Sequence, residues 1–133
     1  MKDIVKLWQQ VNRKYFNGAL DADVAYFAKR ARRPDPEHKR NITLGYCQDV
    51  EGEVRIRINP IIGHPIVPVW IAKAILLHEA LHIIHREAEI NGVFLHHTPA
   101  FKRAEARYSI LKRYGIWWSY NRKRVRRYLS WAD

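Results

Sequence analysis

Between Val69 and Ile84 the chain reads VWIAKAILLHEALHII, and its apolar residues fall on every side of a helical wheel instead of along one stripe. A helix of that kind is buried nearly all round, so it belongs at the centre of whatever fold forms. Yet it carries His78, Glu79 and His82, with His85 just beyond. An uncompensated carboxylate and several imidazoles in such a place cost several kcal/mol. Either backbone carbonyls satisfy them as ordinary core histidines, or a bound group does.

The spacing favours a bound group. Residues four apart stack on one helix face about one turn from each other, which places His78 and His82 together. Two imidazoles so placed can reach one tetrahedral zinc at about 2.0–2.1 Å. Glu79 sits roughly 100° round the helix from the first of them. There it can hold and deprotonate a zinc-bound water without itself being a ligand, as in the H-E-x-x-H arrangement. A catalytic zinc also needs a third protein ligand and an open position for water. His85 lies about 10 Å along the axis from His78 and is assigned to packing or to a hydrogen bond behind the ligands. Glu87 and Glu89 are read as part of the same helix and fail as ligands in the same way. A turn at Asn91-Gly92 sends the chain back, and FLHHTPAF then offers His96 and His97. The residues alone do not choose between those two.

Around this helix the pattern predicts an α+β single domain over 1–133. Ile4, Leu7, Trp8, Val11 and Tyr15 recur at helical spacing and stop at Asn17-Gly18, a helix-ending pair. DVAYFAK (Asp23 to Lys29) reads as a strand, and KRARRPDPEHKR as a charged loop whose prolines exclude a sheet interior. ITLGYC and EVRIRIN read as two strands joined near Glu51-Gly52. In the second, Val54, Ile56 and Ile58 alternate with charged residues, so one face is buried. The central helix is expected from about Pro68 to Glu89. Another is expected to begin at Thr98-Pro99, with Thr98 as its cap. A basic, aromatic segment over about 115–133 is expected to be helical. The expected sheet is three-stranded and mainly antiparallel.

Composition narrows the setting. Hydrophobic residues make up 47% and charged residues 28% of 133, a globular balance with room for one core. Cys47 is the only cysteine, which excludes a disulfide framework and a four-cysteine zinc ribbon. The first residues lack the apolar run of a signal peptide, and no apolar run is long enough to span a bilayer. The expectation is therefore cytoplasmic, with no membrane partner. A net charge of +11 favours polyanions, nucleic acid first. The cations cluster at Lys29, Arg30, Arg32, Arg33, Lys39 and Arg40, and again at Arg122, Lys123, Arg124, Arg126 and Arg127. Trp117, Trp118 and Tyr120 beside the second cluster could stack on unpaired bases. They could equally cover the core while the arginines face water.

Five segments in order resemble the SprT-like (Spartan-type) zinc metallopeptidase family, and the likeness covers most of the chain. YFNGAL (Tyr15 to Leu20) is similar to the family's first helix end, ITLGYC to its Leu-Gly-Tyr strand, and IRINP to the strand entering the active-site helix. LLHEALH matches its H-E-x-x-H, and HTPAFK (His97 to Lys102) its H-G-P-E-F-K segment. Thr98 and Ala100 stand where Gly and Glu are common, and neither change removes a ligand. The resemblance implies a zincin-like fold, with zinc on His78, His82 and His97, and Glu79 as general base. The implied activity is endopeptidase cleavage of a protein or peptide substrate. Because family members act on proteins at DNA, it also implies nucleic-acid contact, with nucleoid or nuclear association. Members often continue into a zinc ribbon, for which one cysteine does not suffice, so substrate choice is not carried over. Tyr108 and Tyr114 are candidates for stabilising the developing oxyanion, against ordinary packing on a helix. Two rival readings remain: a nucleic-acid-binding module with a structural zinc, and a metallohydrolase with a non-peptide substrate.

Overall fold

A computed structural model describes residues 1–28 and 42–128. The basic segment from Lys29 to Arg40 therefore lies outside the described residues, as do residues 129–133. Helix α1 (Ile4–Phe16) starts on Asp3, whose side chain accepts from Lys6 N, and ends on Asn17 in the left-handed region. Its apolar stripe of Ile4, Leu7, Trp8 and Val11 is buried. Buried Asn12 clamps the following turn through both ends of its amide: Nδ2 donates to Leu20 O (2.7 Å) and Oδ1 accepts from Leu20 N (3.1 Å).

Three strands follow: β1 (Asp23–Tyr26), β2 (Gly45–Val50) and β3 (Glu53–Ile58), in the order β1-β3-β2. The β2–β3 pair is antiparallel across Glu51-Gly52, both at positive φ (54° and 85°), but β1 runs parallel to β3. The sheet is thus mixed rather than mainly antiparallel. A long connection separates β1 from β2, so nothing requires β1 to enter the sheet as a hairpin partner. Alternation on β3 holds: Ile56 and Ile58 are fully buried, and they face the helices together with Gly45 and Cys47, their register partners on β2. β1 ends three residues earlier than expected, and β2 starts three residues later than the first apolar residue of ITLGYC.

Asn59 fixes how the chain leaves the sheet. Its Oδ1 accepts from Ile61 N (3.0 Å), capping a 3₁₀ turn (Pro60–Gly63), while its backbone N donates to Leu44 O (2.8 Å). The central helix α2 (Val69–Ile84) then crosses the molecule, with Ile71, Ala72, Ala74, Leu76, Leu77 and Ala80 at 0% exposure. It is capped at its end by His85 N donating to Leu81 O (2.8 Å), well short of Glu89. Past that point the chain forms a hairpin, β4 (Ala88–Ile90) and β5 (Val93–Leu95), in which Glu89 pairs with Phe94. Asn91 and Gly92, expected to end a helix, instead make a two-residue turn with both φ positive (53° and 77°), as an Asn-Gly hairpin requires. Glu87 and Glu89 therefore lie off the helix. Helix α3 (Pro99–Glu105) starts where expected, with Thr98 Oγ1 accepting from Phe101 N. Helix α4 (Ser109–Arg126) begins about six residues before the anticipated basic segment and packs Leu111 and Val125 into the core. No helix among the described residues is long and apolar enough to cross a membrane.

Candidate metal centre

The last two turns of α2 carry His78 and His82 on one face, their ring centroids 5.1 Å apart. The β4–β5 hairpin reverses the chain and delivers His97 to the same place, immediately before the cap of α3. Its ring lies 5.4 Å from that of His78 and 4.9 Å from that of His82. One ligand-capable nitrogen from each histidine falls within 4.8 Å of the others, and no further group of three or more metal-capable side chains occurs among the described residues. Nitrogens on a tetrahedral zinc with ordinary bond lengths are about 3.4 Å apart, so modest rotamer adjustment closes this trio on one ion. His96 is left out. Its Nδ1 pairs with Glu87 Oε1 at 2.6 Å on the exposed side of the hairpin. His85 is likewise outside the cluster.

Two residues that support the trio were not singled out from the sequence. Phe101, fully buried, forms a floor, stacked on His82 at 4.3 Å and lying 4.9 and 5.2 Å from His97 and His78. Glu105 Oε2 sits 2.8 Å from His78 Nδ1. That contact fixes the tautomer, because Nδ1–H donates to the carboxylate and Nε2 is left to bind a metal. Phe101 and Glu105 are four apart, so the face of α3 that bears one also bears the other. This was the available signal.

Electrostatics prepare the same chemistry. Burial first, then the neighbouring His78 and His97, pushes the His82 imidazole down to about 4. His78 is lowered by burial against an opposing pull from Glu105. Both are thus held neutral, the form that ligates a cation. Glu79 is 4% exposed, and its Oε2 has no hydrogen-bond partner. Burial pushes its carboxyl up to about 8. A buried carboxyl oxygen without a partner is costly unless a cation or a polar ligand joins it. The donor set, its tautomer lock and the unpartnered carboxylate all fit a zinc ion.

The site opens into a cleft of about 700 Å³ between β2 and the end of α2. Gly45, Cys47 and Asp49 line one wall; His82, Arg86 and Glu87 line the other. Arg86 Nη1 donates to Asp49 Oδ2 at 2.6 Å across one end. Gly45 has a reason to be glycine: a Cβ there would meet Ile58 Cδ1 at 3.0 Å, Arg57 O at 3.3 Å and Glu79 Cγ at 3.6 Å. The tight contacts are with β3, whereas Glu79 stands at ordinary contact distance. Of the two candidate tyrosines, Tyr108 packs edge-on against Tyr15 at 5.4 Å, whereas Tyr114 borders a cavity shared with His78 and Glu79.

On α4, Arg122, Lys123, Arg124 and Arg127 are exposed and Tyr120 is 85% exposed, while Trp117 and Trp118 pack half-buried against the core. Comparisons of the chain with protein-family models, with curated proteins and with solved structures gave no match.

Proposed function

We propose that the chain is a zinc-dependent endopeptidase of the SprT-like (Spartan-type) kind, acting on proteins associated with nucleic acid. One observation carries the reading: imidazoles from two separate segments meet beside a buried carboxylate that has no partner. His78, His82 and His97 hold the ion. Zinc supplies Lewis acidity, lowering the pKa of a bound water toward neutrality and polarising a carbonyl oxygen. Glu79 takes the proton from the attacking water and returns it to the leaving amine nitrogen. Glu105 holds His78 in the ligating tautomer. β2 is an edge strand of the described sheet and lines the cleft, so an extended substrate backbone can add to it as a further strand.

The rival reading, a binding module with a structural zinc, is less well supported. Closed structural sites use four protein ligands, and here three metal-capable side chains converge with an uncommitted carboxylate alongside. The decisive experiment combines elemental analysis with a cleavage assay on a DNA-bound protein, with and without single-stranded DNA. One zinc per chain is expected, lost in His78→Ala and His97→Ala. Glu79→Gln should keep the zinc and lose about 10²–10⁴ in rate, the usual contribution of a general base. A chain that takes up no zinc after refolding with the metal overturns the site, and undiminished turnover in Glu79→Gln overturns its role.

A further inference from the structure

Helix α4 turns Leu111, Tyr114, Trp118 and Val125 toward the protein, a spacing that by itself means packing. Packing accounts for the ring of Tyr114 but leaves its hydroxyl unexplained. A mostly buried phenol usually finds an acceptor, and among the described residues this one has none. Instead it borders a cavity of about 310 Å³ walled by Leu44, Gly45, His78 and Glu79. Gly45, His78 and Glu79 also line the main cleft, so the phenol stands at one end of the same groove.

Peptide hydrolysis at this site creates a need at that position. As the water oxygen bonds to the carbonyl carbon, the π pair moves onto the carbonyl oxygen and Glu79 takes the water proton. The oxygen's pair then re-forms the π bond as the carbon–nitrogen bond breaks, the pair of the broken bond goes to nitrogen, and Glu79 returns the proton there. Between those two events the carbonyl oxygen carries negative charge, and a preorganised donor stabilises it. Two donors lining the cleft already have carboxylate partners, Arg86 with Asp49 and His96 with Glu87, each at 2.6 Å. We propose that Tyr114 is a catalytic residue whose hydroxyl donates a hydrogen bond to that oxygen; this rests on the peptidase reading above. The phenol remains a donor across the working range, because burial, then the charges of Glu79 and Glu105, pushes it up to about 12.

The test uses the zinc-loaded chain, wild type and Tyr114→Phe, with an internally quenched peptide and its phosphinic analogue, whose tetrahedral oxygens mimic the charged intermediate. Removing the hydroxyl should lower kcat about 10²-fold, with KM within about twofold. Affinity for the phosphinic analogue should fall in step, while zinc content and Tm stay at wild-type values. Equal affinity of the two proteins for the analogue overturns the proposal, as does a change confined to KM. A wild type that cleaves nothing, yet binds the analogue more tightly than Tyr114→Phe, would sink the peptidase reading while upholding the hydrogen bond. A wild type that does not bind the analogue sinks both.

Discussion

In the proposed zinc site, Glu105 decides how well His78 can serve as a ligand. Its carboxylate, 2.8 Å from Nδ1, orients the ring and makes the opposite nitrogen a better donor to a cation. Glu105→Gln keeps the shape and removes the charge, so zinc affinity should weaken about 10–100-fold with little change in Tm of the metal-free protein. Competition with a chromophoric chelator reads this directly; unchanged affinity would make the contact incidental. Gly45 poses a different question, one of space. Gly45→Ala places a methyl 3.0 Å from Ile58 Cδ1 and 3.3 Å from a backbone oxygen, so the neighbouring strand must give by a few tenths of an ångström. Overpacking of that kind costs about 1–3 kcal/mol, which a denaturant midpoint will show. Turnover should fall by more than the stability loss explains, because the displaced strand is the one beside Glu79. A fully active, equally stable Gly45→Ala would mean that the strand gives way freely.

At the scale of elements, the site depends on a reversal that the sequence pattern located at Asn91-Gly92 but read as the end of a helix instead of the turn of a hairpin. The apolar wheel of Val69 to Ile84 and the His-Glu-His spacing are strong local signals, and they put two candidate ligands on one helix face without any knowledge of the fold. The end of that helix was harder to read, because Asn-Gly both terminates helices and closes hairpins. The run before it, Ala88 to Ile90, holds a single β-branched residue and was too brief to announce a strand. His97 in turn could be chosen over His96 only by resemblance to a family, since the choice depends on which way the hairpin presents each ring. The parallel pairing of β1 likewise follows from where a long connection returns, which local alternation does not encode. The hairpin's importance is measurable. Replacing Asn91-Gly92 by Ala-Ala puts two ordinary residues at φ of 53° and 77°, at a cost of about 1–2 kcal/mol each. Zinc affinity should drop because His97 loses its placement. Helix content by circular dichroism should hold, because α2 is capped independently at His85. Loss of the helix together with the metal would show that the hairpin supports the core and not only the ligand.

Over the whole molecule the dominant property is charge: 24 Lys and Arg against 13 Asp and Glu. On α4 that excess acquires a direction. Tyr120, Lys123, Arg124 and Arg127 fall at helical spacing on one exposed face, an aromatic ring ahead of three cations. Trp117 and Trp118 face the core instead, so base stacking on this helix rests on Tyr120. The two kinds of contact answer differently to salt. Each phosphate neutralised on a single strand contributes about 0.7 to the slope of log affinity against log salt, whereas stacking contributes affinity with little salt dependence. Changing Lys123, Arg124 and Arg127 together to Ala should therefore flatten the slope for a single-stranded oligonucleotide by about 2. Tyr120→Ala should weaken binding by about 1–3 kcal/mol and leave the slope as it was. Fluorescence anisotropy at several salt concentrations separates the two effects in one series. A slope that stays steep in the triple variant would remove α4 from the nucleic-acid surface. A flat slope in the wild type would remove nucleic acid from the reading and leave the zinc site to be judged as a peptidase alone.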